Sequence, residues 1–147
     1  MSEKIIIGAD HAGFELKEKI KSDLIKKGFN VIDVGADTLD PEDGFPPFGA
    51  RLSQEVLAAK SRGIIICGSG IGVSIAVNRF KGIYGAKCDN VSEVITARKH
   101  NHANVLCLGA RLITEAATLE MVKAFLETSP DVNPKYLARM REIDELC

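Results

Sequence analysis

The sequence predicts a three-layer α/β/α sandwich around a five-stranded parallel sheet, and two observations lead to this fold class. Short apolar runs alternate along the chain with segments of helical periodicity, which is the pattern of successive strand–helix units. The runs are apolar almost throughout, as strands are when helices cover both faces of a parallel sheet. The predicted strands are 4–9, 30–34, 63–67, 82–87 and 104–108.

The predicted helices lie between these strands, where apolar residues recur every three or four positions. Gly28 is a stop signal for the first helix, and Asn90 with Glu93 three residues later resembles a capping box that starts another. Residues 35–47 hold three prolines and no regular period, so we expect a loop there. The helical patterns run through 16–25, 48–56, 71–79, 90–99, 119–126 and 137–143.

Length and charge bound the class of protein. A chain of 147 residues fits a single domain, and residues 133–147 follow a proline-containing break, so we expect a C-terminal helical arm that contacts a partner subunit. The net charge of −1 and the lack of a basic stripe argue against nucleic-acid or membrane-surface binding. No apolar run has the length of a membrane span or of a signal peptide's core, so we expect a soluble, cytoplasmic protein.

The cysteines and histidines predict neither disulfides nor a metal site. The four cysteines are widely spaced and form no CxxC pair, and Cys88 and Cys107 are expected to be small apolar packing residues. The three histidines have no neighbouring cysteine or paired carboxylate in the sequence, so no metal is expected.

Polar segments follow the predicted strands, where ligands bind in open parallel sheets. The segments are GADHAG at 8–13, CGSGIG at 67–72 and GAR at 109–111. A further segment, HNHAN at 100–104, ends the helix after strand four. The C-terminus of that helix lies at the opposite edge of the sheet from the carboxyl ends of the strands. We therefore expect this segment to act at that opposite edge or in the site of a neighbouring subunit.

The glycine-rich segment matches neither familiar nucleotide loop. The dinucleotide fingerprint requires glycine where this chain has Val73, and the Gly-Lys pair of a Walker loop is absent. Three alternate glycines between a strand and a helix let several backbone N–H groups converge on one anion at the positive end of the helix dipole. The alternative is a tight strand-to-helix turn, which needs only one glycine.

Each side chain singled out at these segments has a functional and a structural interpretation. Cys67 stands before the N–H donors of a helix N-terminus, which stabilise a thiolate, so it is a candidate base or nucleophile; the alternative is a buried strand-end cysteine. Asp10 is a candidate ligand-binding group or only the N-cap of the first helix. His100 and His102 are candidate functional groups or partners of terminal helix carbonyls.

Taken together, four motifs resemble those of the ribose-5-phosphate isomerase B family, within the wider group that includes galactose-6-phosphate isomerase. The family shares the Rossmann-like sandwich that the strand–helix alternation predicts. The similarity runs from about residue 4 to 145. The motifs are GADHAGFELK at 8–17, CGSGIG at 67–72 leading into AVNRF at 76–80, HN at 100–101 with ANVL at 103–106, and GAR at 109–111.

The resemblance implies a cofactor-free aldose–ketose isomerisation of ribose 5-phosphate and ribulose 5-phosphate through a cis-enediolate. Cys67 then resembles the base that moves a proton between C1 and C2, as in family members of the cysteine type. Ser69 resembles the hydroxyl that handles proton transfer between the sugar oxygens. The backbone N–H groups of Gly68, Ser69, Gly70, Ile71 and Gly72 resemble the hole that stabilises the enediolate oxygen.

The remaining roles also come from the resemblance. His100 resembles the residue that opens the furanose ring, and Asp10 and Asn101 resemble groups that position the substrate. His11 and Arg111 resemble phosphate ligands. The resemblance further implies a homodimer or homotetramer with shared active sites, in which Lys135 and Arg139 are contributed by a partner subunit.

Because of two departures from the family pattern, the sequence does not decide which phosphosugar is the substrate. The family usually has an acidic residue and a tyrosine before a proline where this chain reads Gly44-Phe45-Pro46, so a tyrosine hydroxyl is missing near the sugar. Its usual Arg-His pair in the arm reads Lys135-Tyr136 here, which keeps charge but loses the bidentate fork.

Three rival interpretations follow from these departures and motifs. A sibling isomerase would act on an allose 6-phosphate, a galactose 6-phosphate or a tetrulose phosphate, and the presence of both Cys67 and His100 in one chain argues against the galactose enzyme. A non-catalytic phosphosugar-binding module would have no use for the thiol. A thiol-redox protein would need a resolving cysteine close to Cys67.

Overall fold

A computed structural model describes residues 3–146, so Met1, Ser2 and Cys147, the ends of the predicted 1–147 domain, lie outside the described residues. Five parallel strands form one sheet in the order β2-β1-β3-β5-β4. Helices cover both faces, so the predicted three-layer α/β/α class is confirmed. The strands are β1 Lys4–Ala9, β2 Asn30–Asp33, β3 Arg62–Cys67, β4 Gly85–Lys87 and β5 Val105–Gly109.

Six α-helices connect and follow these strands. They are α1 Phe14–Lys26, α2 Pro46–Ala59, α3 Ile71–Val77, α4 Val91–Asn101, α5 Glu115–Glu127 and α6 Pro134–Asp144. Among the strands, the largest difference from the predicted boundaries is at β4, which begins at Gly85 and not at residue 82. A turn occupies the start of that apolar run, because Gly82 has φ of +92° and the N–H of Ile83 donates to Phe80 O at 3.0 Å.

Alternating side chains of the strands divide the core into two layers. Ile5 and Ile7 face a layer that also holds residues of α1, α4 and α5, whereas Ile6 faces the layer of α2 and α3. Cys88 belongs to the first layer and Cys107 to the second, both buried, which confirms them as packing residues. Burial raises the pKa of the Cys88 thiol to about 12, and burial likewise raises the pKa of Cys107.

A buried ion pair holds the start of the loop between β2 and α2. Lys17 is fully buried, and its Nζ donates to Asp33 Oδ2 at 2.7 Å and to Ala36 O at 2.6 Å. Desolvation by burial opposes ionisation of Asp33, but the hydrogen bonds from Lys17, from the N–H of Gly35 and from Lys21 outweigh it and lower the pKa of Asp33. The first residues of this loop are therefore fixed to α1 through Lys17.

At the other end of the strands, α6 packs against α4 of the same chain. Met140 is buried, and the hydroxyl of Tyr84, just before β4, donates to Asp144. Burial and this hydrogen bond raise the pKa of Tyr84 to about 12. The arm thus lies along its own subunit and does not extend away from it; contact with a partner stays a prediction. No helix within residues 3–146 is both long and apolar enough to cross a membrane.

Candidate active site

A cleft of about 320 Å³ opens at the carboxyl ends of β1, β3 and β5, an end of the sheet that we call the carboxyl edge. Seven of the predicted site residues line it, as do three residues that were not among the predicted site residues. The predicted residues are Asp10, His11, Cys67, Gly68, Ser69, Gly72 and Arg111, and the three others are Ala12, Phe45 and Leu112.

The thiol of Cys67 faces a backbone donor of the glycine loop. Cys67 ends β3 and is 4% exposed, and its Sγ accepts a hydrogen bond from the N–H of Gly70 at 3.2 Å. The Ser69 hydroxyl oxygen accepts from the N–H of Ile71 at 3.1 Å. Within residues 3–146, no hydrogen bond engages the N–H groups of Gly68, Ser69 or Gly72. The loop thus offers one donor that favours a thiolate and further donors for an anion.

Each glycine of the loop has its own structural reason. Gly70 has φ of +77°, a left-handed conformation that favours glycine. A Cβ on Gly68 would lie 2.7 Å from Nη1 of Arg111, and a Cβ on Gly72 would lie 2.7 Å from Cζ of Phe45. Two of the three glycines therefore make room for side chains that wall the cleft, which the sequence pattern alone did not show.

Asp10 caps the turn that leads into α1. One of its oxygens, Oδ1, accepts hydrogen bonds from the N–H groups of Ala12 at 3.0 Å and Gly13 at 3.2 Å, and the residue is buried. The capping interpretation is therefore correct for this oxygen, while the residue also lines the cleft.

His11 is paired with Asp43, a residue that the sequence analysis did not single out. Asp43 Oδ1 lies 2.9 Å from Nδ1 of His11 and accepts the backbone N–H of His11 at 2.8 Å. The hydrogen bond to Asp43 is the main cause that raises the pKa of His11, and the Asp10 carboxylate adds to it. Asp43 lies in the irregular 35–45 loop, where no periodicity or motif predicts a tertiary contact 32 residues away.

Arg111 places a second positive group at the mouth of the cleft. Its backbone N–H donates to Gly68 O at 3.0 Å, and the N–H of Ala110 donates to Cys67 O at 2.9 Å. These two bonds tie the segment after β5 to the glycine loop. An arginine and a histidine with a raised pKa together suit an anion such as a phosphate group.

Four other predicted site residues, His100, Asn101, Lys135 and Arg139, do not reach this cleft within one chain. The end of α4 lies at the amino ends of the strands, which we call the amino edge. There the N–H of Asn104 donates to Tyr84 O at 3.0 Å and the N–H of Gly63 donates to Asn104 O at 2.9 Å. The physical reason is topological, because a crossover helix between parallel strands carries its C-terminus back to the amino edge.

Three of these residues, His100, Lys135 and Arg139, lie around the ring of Tyr136. The ring of His100 stacks on Tyr136, with centroids 4.4 Å apart and an interplanar angle of 11°. The cationic groups of Lys135 and Arg139 lie 4.9 Å and 5.9 Å from the centroid of the same ring. Asn101 is exposed at the end of α4. The amino edge thus holds a second set of polar groups, all of them accessible.

The carboxyl edge also contains the one group of residues within 3–146 whose donor atoms cluster as metal ligands do. Atoms of Asp10, His11 and Asp43 lie within 4.8 Å of one another. Oδ1 of Asp10 and Oδ1 of Asp43 already accept backbone hydrogen bonds, so two of these oxygens have partners within the protein.

Comparison with known proteins identifies the family of this chain. The family model described as Ribose/Galactose Isomerase matches residues 5–143. The chain belongs to the ribose/galactose isomerase family. The resemblance found from the four sequence motifs is thereby confirmed, and so is the prediction that the chain is an isomerase.

Individual relatives are similar over most of their length. A probable ribose-5-phosphate isomerase B of Mycoplasma genitalium is 38% identical over 131 residues, 88% of this chain and 86% of the relative. The crystal structure of ribose-5-phosphate isomerase B from Mycoplasma genitalium with bound ribulose-5-phosphate has a TM-score of 0.93 and 35% identity, covering 99% of this chain and 96% of that one. A 4-deoxy-4-sulfo-D-erythrose isomerase of a Clostridium species is 39% identical over 128 residues, 85% of this chain and 79% of that protein.

Proposed function

We propose that the protein interconverts ribose 5-phosphate and ribulose 5-phosphate through a cis-enediolate, with Cys67 as the base. The observation that carries the proposal is the Cys67 thiol in the cleft with a backbone N–H directed at its sulfur. A thiol in that position is of no use for binding alone, but it suits a reaction that removes a proton from carbon. Family membership and the relatives described above support the same reaction class.

The proton transfer follows from the arrangement of the loop. The Cys67 thiolate removes the proton from C2 of the open-chain aldose, and the electron pair forms the C1–C2 double bond as charge moves to the carbonyl oxygen at C1. The N–H groups of Ser69 and Gly72 stabilise that oxyanion, because fixed dipoles need no reorganisation during the reaction. The thiol then returns the proton to C1, and the Ser69 hydroxyl passes a proton between O2 and O1.

The phosphate of the sugar supplies binding energy away from the reacting carbons. His11 and Arg111 line the same cleft as Cys67 and provide the positive charge for it. Arg111 offers a planar, multidentate donor set, and His11 offers a single ring nitrogen.

We propose further that the amino edge of a second copy completes the cleft, in a homodimer or homotetramer. His100 would open the furanose ring, Asn101 would help to position the substrate, and Lys135 and Arg139 would add charge for the phosphate. The support is geometric, since these side chains are accessible but lie at the edge of the sheet away from Cys67. The cytoplasmic location expected from the sequence also remains a prediction.

One observation favours a second candidate substrate, a four-carbon sugar with a terminal sulfonate or phosphate. The ring of Phe45 lies against Gly72, and together with Leu112 it makes one wall of the cleft apolar. An apolar wall offers no hydrogen-bonding partner for the additional hydroxyl group of a longer sugar. The Clostridium relative named for 4-deoxy-4-sulfo-D-erythrose shows that the family includes an enzyme for such a compound.

A substrate panel tests the proposal. We expect the purified protein to isomerise ribose 5-phosphate with a higher kcat/KM than allose 6-phosphate, galactose 6-phosphate, erythrose 4-phosphate or 4-deoxy-4-sulfo-D-erythrose. We also expect exhaustive chelation with EDTA to leave the rate unchanged. A preference for the four-carbon compounds would replace the first candidate by the second, and no turnover of any sugar would contradict both.

A further inference from the structure

We propose that Asp43 is a positioning residue of the carboxyl edge, which orients the ring of His11 and holds it as a cation for the anionic end of the substrate. This inference rests on the proposed function, in which His11 binds the phosphate. Asp43 lies in the 35–45 loop and contacts His11. The proton transfer at the reacting carbons remains the role of Cys67.

The contacts fix both the backbone and the ring of His11. A single oxygen, Asp43 Oδ1, lies 2.8 Å from the backbone N and 2.9 Å from Nδ1 of His11, and Asp43 O lies 3.2 Å from the same Nδ1. With two acceptors around it, Nδ1 carries a proton and donates. Nε2 is then the ring nitrogen that remains for a ligand, as in sites where a carboxylate sets the orientation of a histidine.

The burial of Asp43 explains why it favours a cation. Its side chain is 13% exposed, whereas that of His11 is 32% exposed. Oδ2 of Asp43 is buried and has no hydrogen-bond partner within residues 3–146. A carboxylate with one unpartnered oxygen is stabilised most by a positive neighbour, and the imidazolium of His11 is that neighbour.

The surrounding charges act in the same direction. The Asp43 hydrogen bond raises the pKa of His11 most, and Asp10 also raises it. Arg111, in the segment after β5, lines the same cleft as His11. The thiol of Cys67, at the end of β3, lines it as well. His11 and Arg111 together then present two cations to a dianionic group. Without Asp43, His11 would be neutral over more of the physiological pH range.

The test compares Asp43→Asn with Glu42→Gln. The first keeps the shape of the side chain and removes its charge, and the second removes the same charge from the adjacent exposed residue of the loop. We expect Asp43→Asn to raise KM for ribose 5-phosphate about tenfold, the scale of one charge-assisted hydrogen bond, with kcat changed less than about twofold. Glu42→Gln should behave as the wild type.

The pH dependence gives a readout that a loss of structure would not produce. Affinity that depends on protonated His11 is present below its pKa and is lost as pH rises through it. Because Asp43 raises that pKa, Asp43→Asn should shift the rise of KM to lower pH. Titration of the His11 imidazole by NMR should show the same direction in the protein without substrate.

A double-mutant cycle with His11→Ala decides whether Asp43 acts through His11. In the His11→Ala protein, adding Asp43→Asn should leave KM unchanged. An equal rise of KM in both backgrounds, or an unshifted NMR titration, would overturn the inference. A wild-type protein without ribose 5-phosphate isomerisation would contradict the proposed function instead, and the NMR titration would still test the pair.

Discussion

The carboxyl and amino edges of the sheet both carry positive side chains, but they use them differently. At the amino edge, Arg98 donates to Ala103 O at 2.6 Å and to Thr128 O at 3.1 Å, so its donors hold the ends of α4 and α5. Arg62 likewise donates to Phe125 O at 2.8 Å and pairs with Glu3. At the carboxyl edge, Arg111 points its guanidinium over Gly68 into the cleft.

This difference shows why size and charge alone do not locate the active site. A larger cleft, about 790 Å³, lies at the amino edge and is lined by Arg62 and Arg98. Because both guanidinium groups are engaged by backbone carbonyls, they complete helix ends and are not free for a ligand. The smaller cleft at the carboxyl edge combines free backbone donors with a thiol and therefore has the groups that chemistry needs.

The largest expected effect is loss of the base at the carboxyl edge. Cys67→Ala should lower kcat for ribose 5-phosphate by about 10³-fold or more, because general-base catalysis is removed. Binding of ribose 5-phosphate, measured by calorimetry, should change little. Cys88→Ala is the matched control, since it removes a buried thiol outside the cleft. Full activity of Cys67→Ala would show that the base has been assigned to the wrong residue.

The next effect joins the two edges. His100→Ala should lower kcat about 100-fold, because one acid–base group is lost. If the edges of two copies form one site, mixing inactive Cys67→Ala and His100→Ala proteins under conditions of subunit exchange should restore about a quarter of the wild-type rate. A mixture as inactive as its components, with exchange verified by mass spectrometry, would mean that each copy works alone.

A stability change separates the anchoring of the cleft loop from chemistry in the cleft. Asp33→Asn removes the nearer carboxylate from the buried Lys17 ammonium and leaves it only the more exposed Glu18, 3.4 Å away, so it should lower the free energy of unfolding by about 3 kcal/mol near pH 7. Because the folded-state pKa of Asp33 is lowered, its contribution is present above the unfolded value of 3.8 and is lost as pH falls through the folded value.

Urea unfolding at pH 7 and at about pH 3 measures this dependence, and the difference between Asp33→Asn and the wild type should shrink at the lower pH. Asp23→Asn removes a more exposed acid that pairs with Lys27 and serves as the control. An equal difference at both pH values would contradict the assigned ionisation.

A smaller effect tests the phosphate side of the carboxyl edge. Arg111→Lys should raise KM about tenfold with little change in kcat, because lysine keeps the charge but loses the planar fork. Gly68→Ala should mimic it without altering charge, since its Cβ would meet Nη1 of Arg111 at 2.7 Å and displace the guanidinium. Arg79→Lys, at an exposed position beyond α3, is the control. Unchanged KM in both cleft variants would remove Arg111 from the site.

The smallest effect concerns the support of His100 at the amino edge. Tyr136→Leu should lower kcat about threefold, because the stacked ring that holds His100 is lost, an interaction of about 0.5–1.5 kcal/mol. Tyr136→Phe keeps the stack and should retain the wild-type rate. A rate that falls equally in both variants would show that the hydroxyl matters and the stack does not.

Much of the carboxyl edge could be predicted because it follows from chain order. Asp10, Cys67 and Arg111 each come directly after a strand, and the ends of parallel strands meet at one edge. The boundaries of β1 and the start of α4 were also predictable, since an apolar run and the Asn90–Glu93 capping pair are local features. The strand predicted from local periodicity was wrong at residues 82–84, where a turn, and not β4, occupies the first part of the apolar run.

The contacts across the cleft could not be predicted, because they join segments with no local relation. Asp43 meets His11 across 32 positions, from a loop without regular period. Phe45 was noticed only as a departure from a family pattern, and its place over Gly72 depends on how the loop folds back over α3.

The sequence by itself determined the strand–helix order, the two-sided sheet and the cysteine at the start of a glycine loop, because apolar periodicity and glycine spacing are written in consecutive residues. The separation of His100 from Cys67 also follows from the strand–helix order and could be predicted. Only the tertiary structure decided which side chains use the room left by Gly68 and Gly72, and that His11 has a carboxylate partner in Asp43. The physical reason is that packing between distant segments depends on shape and burial, which no short stretch of sequence contains.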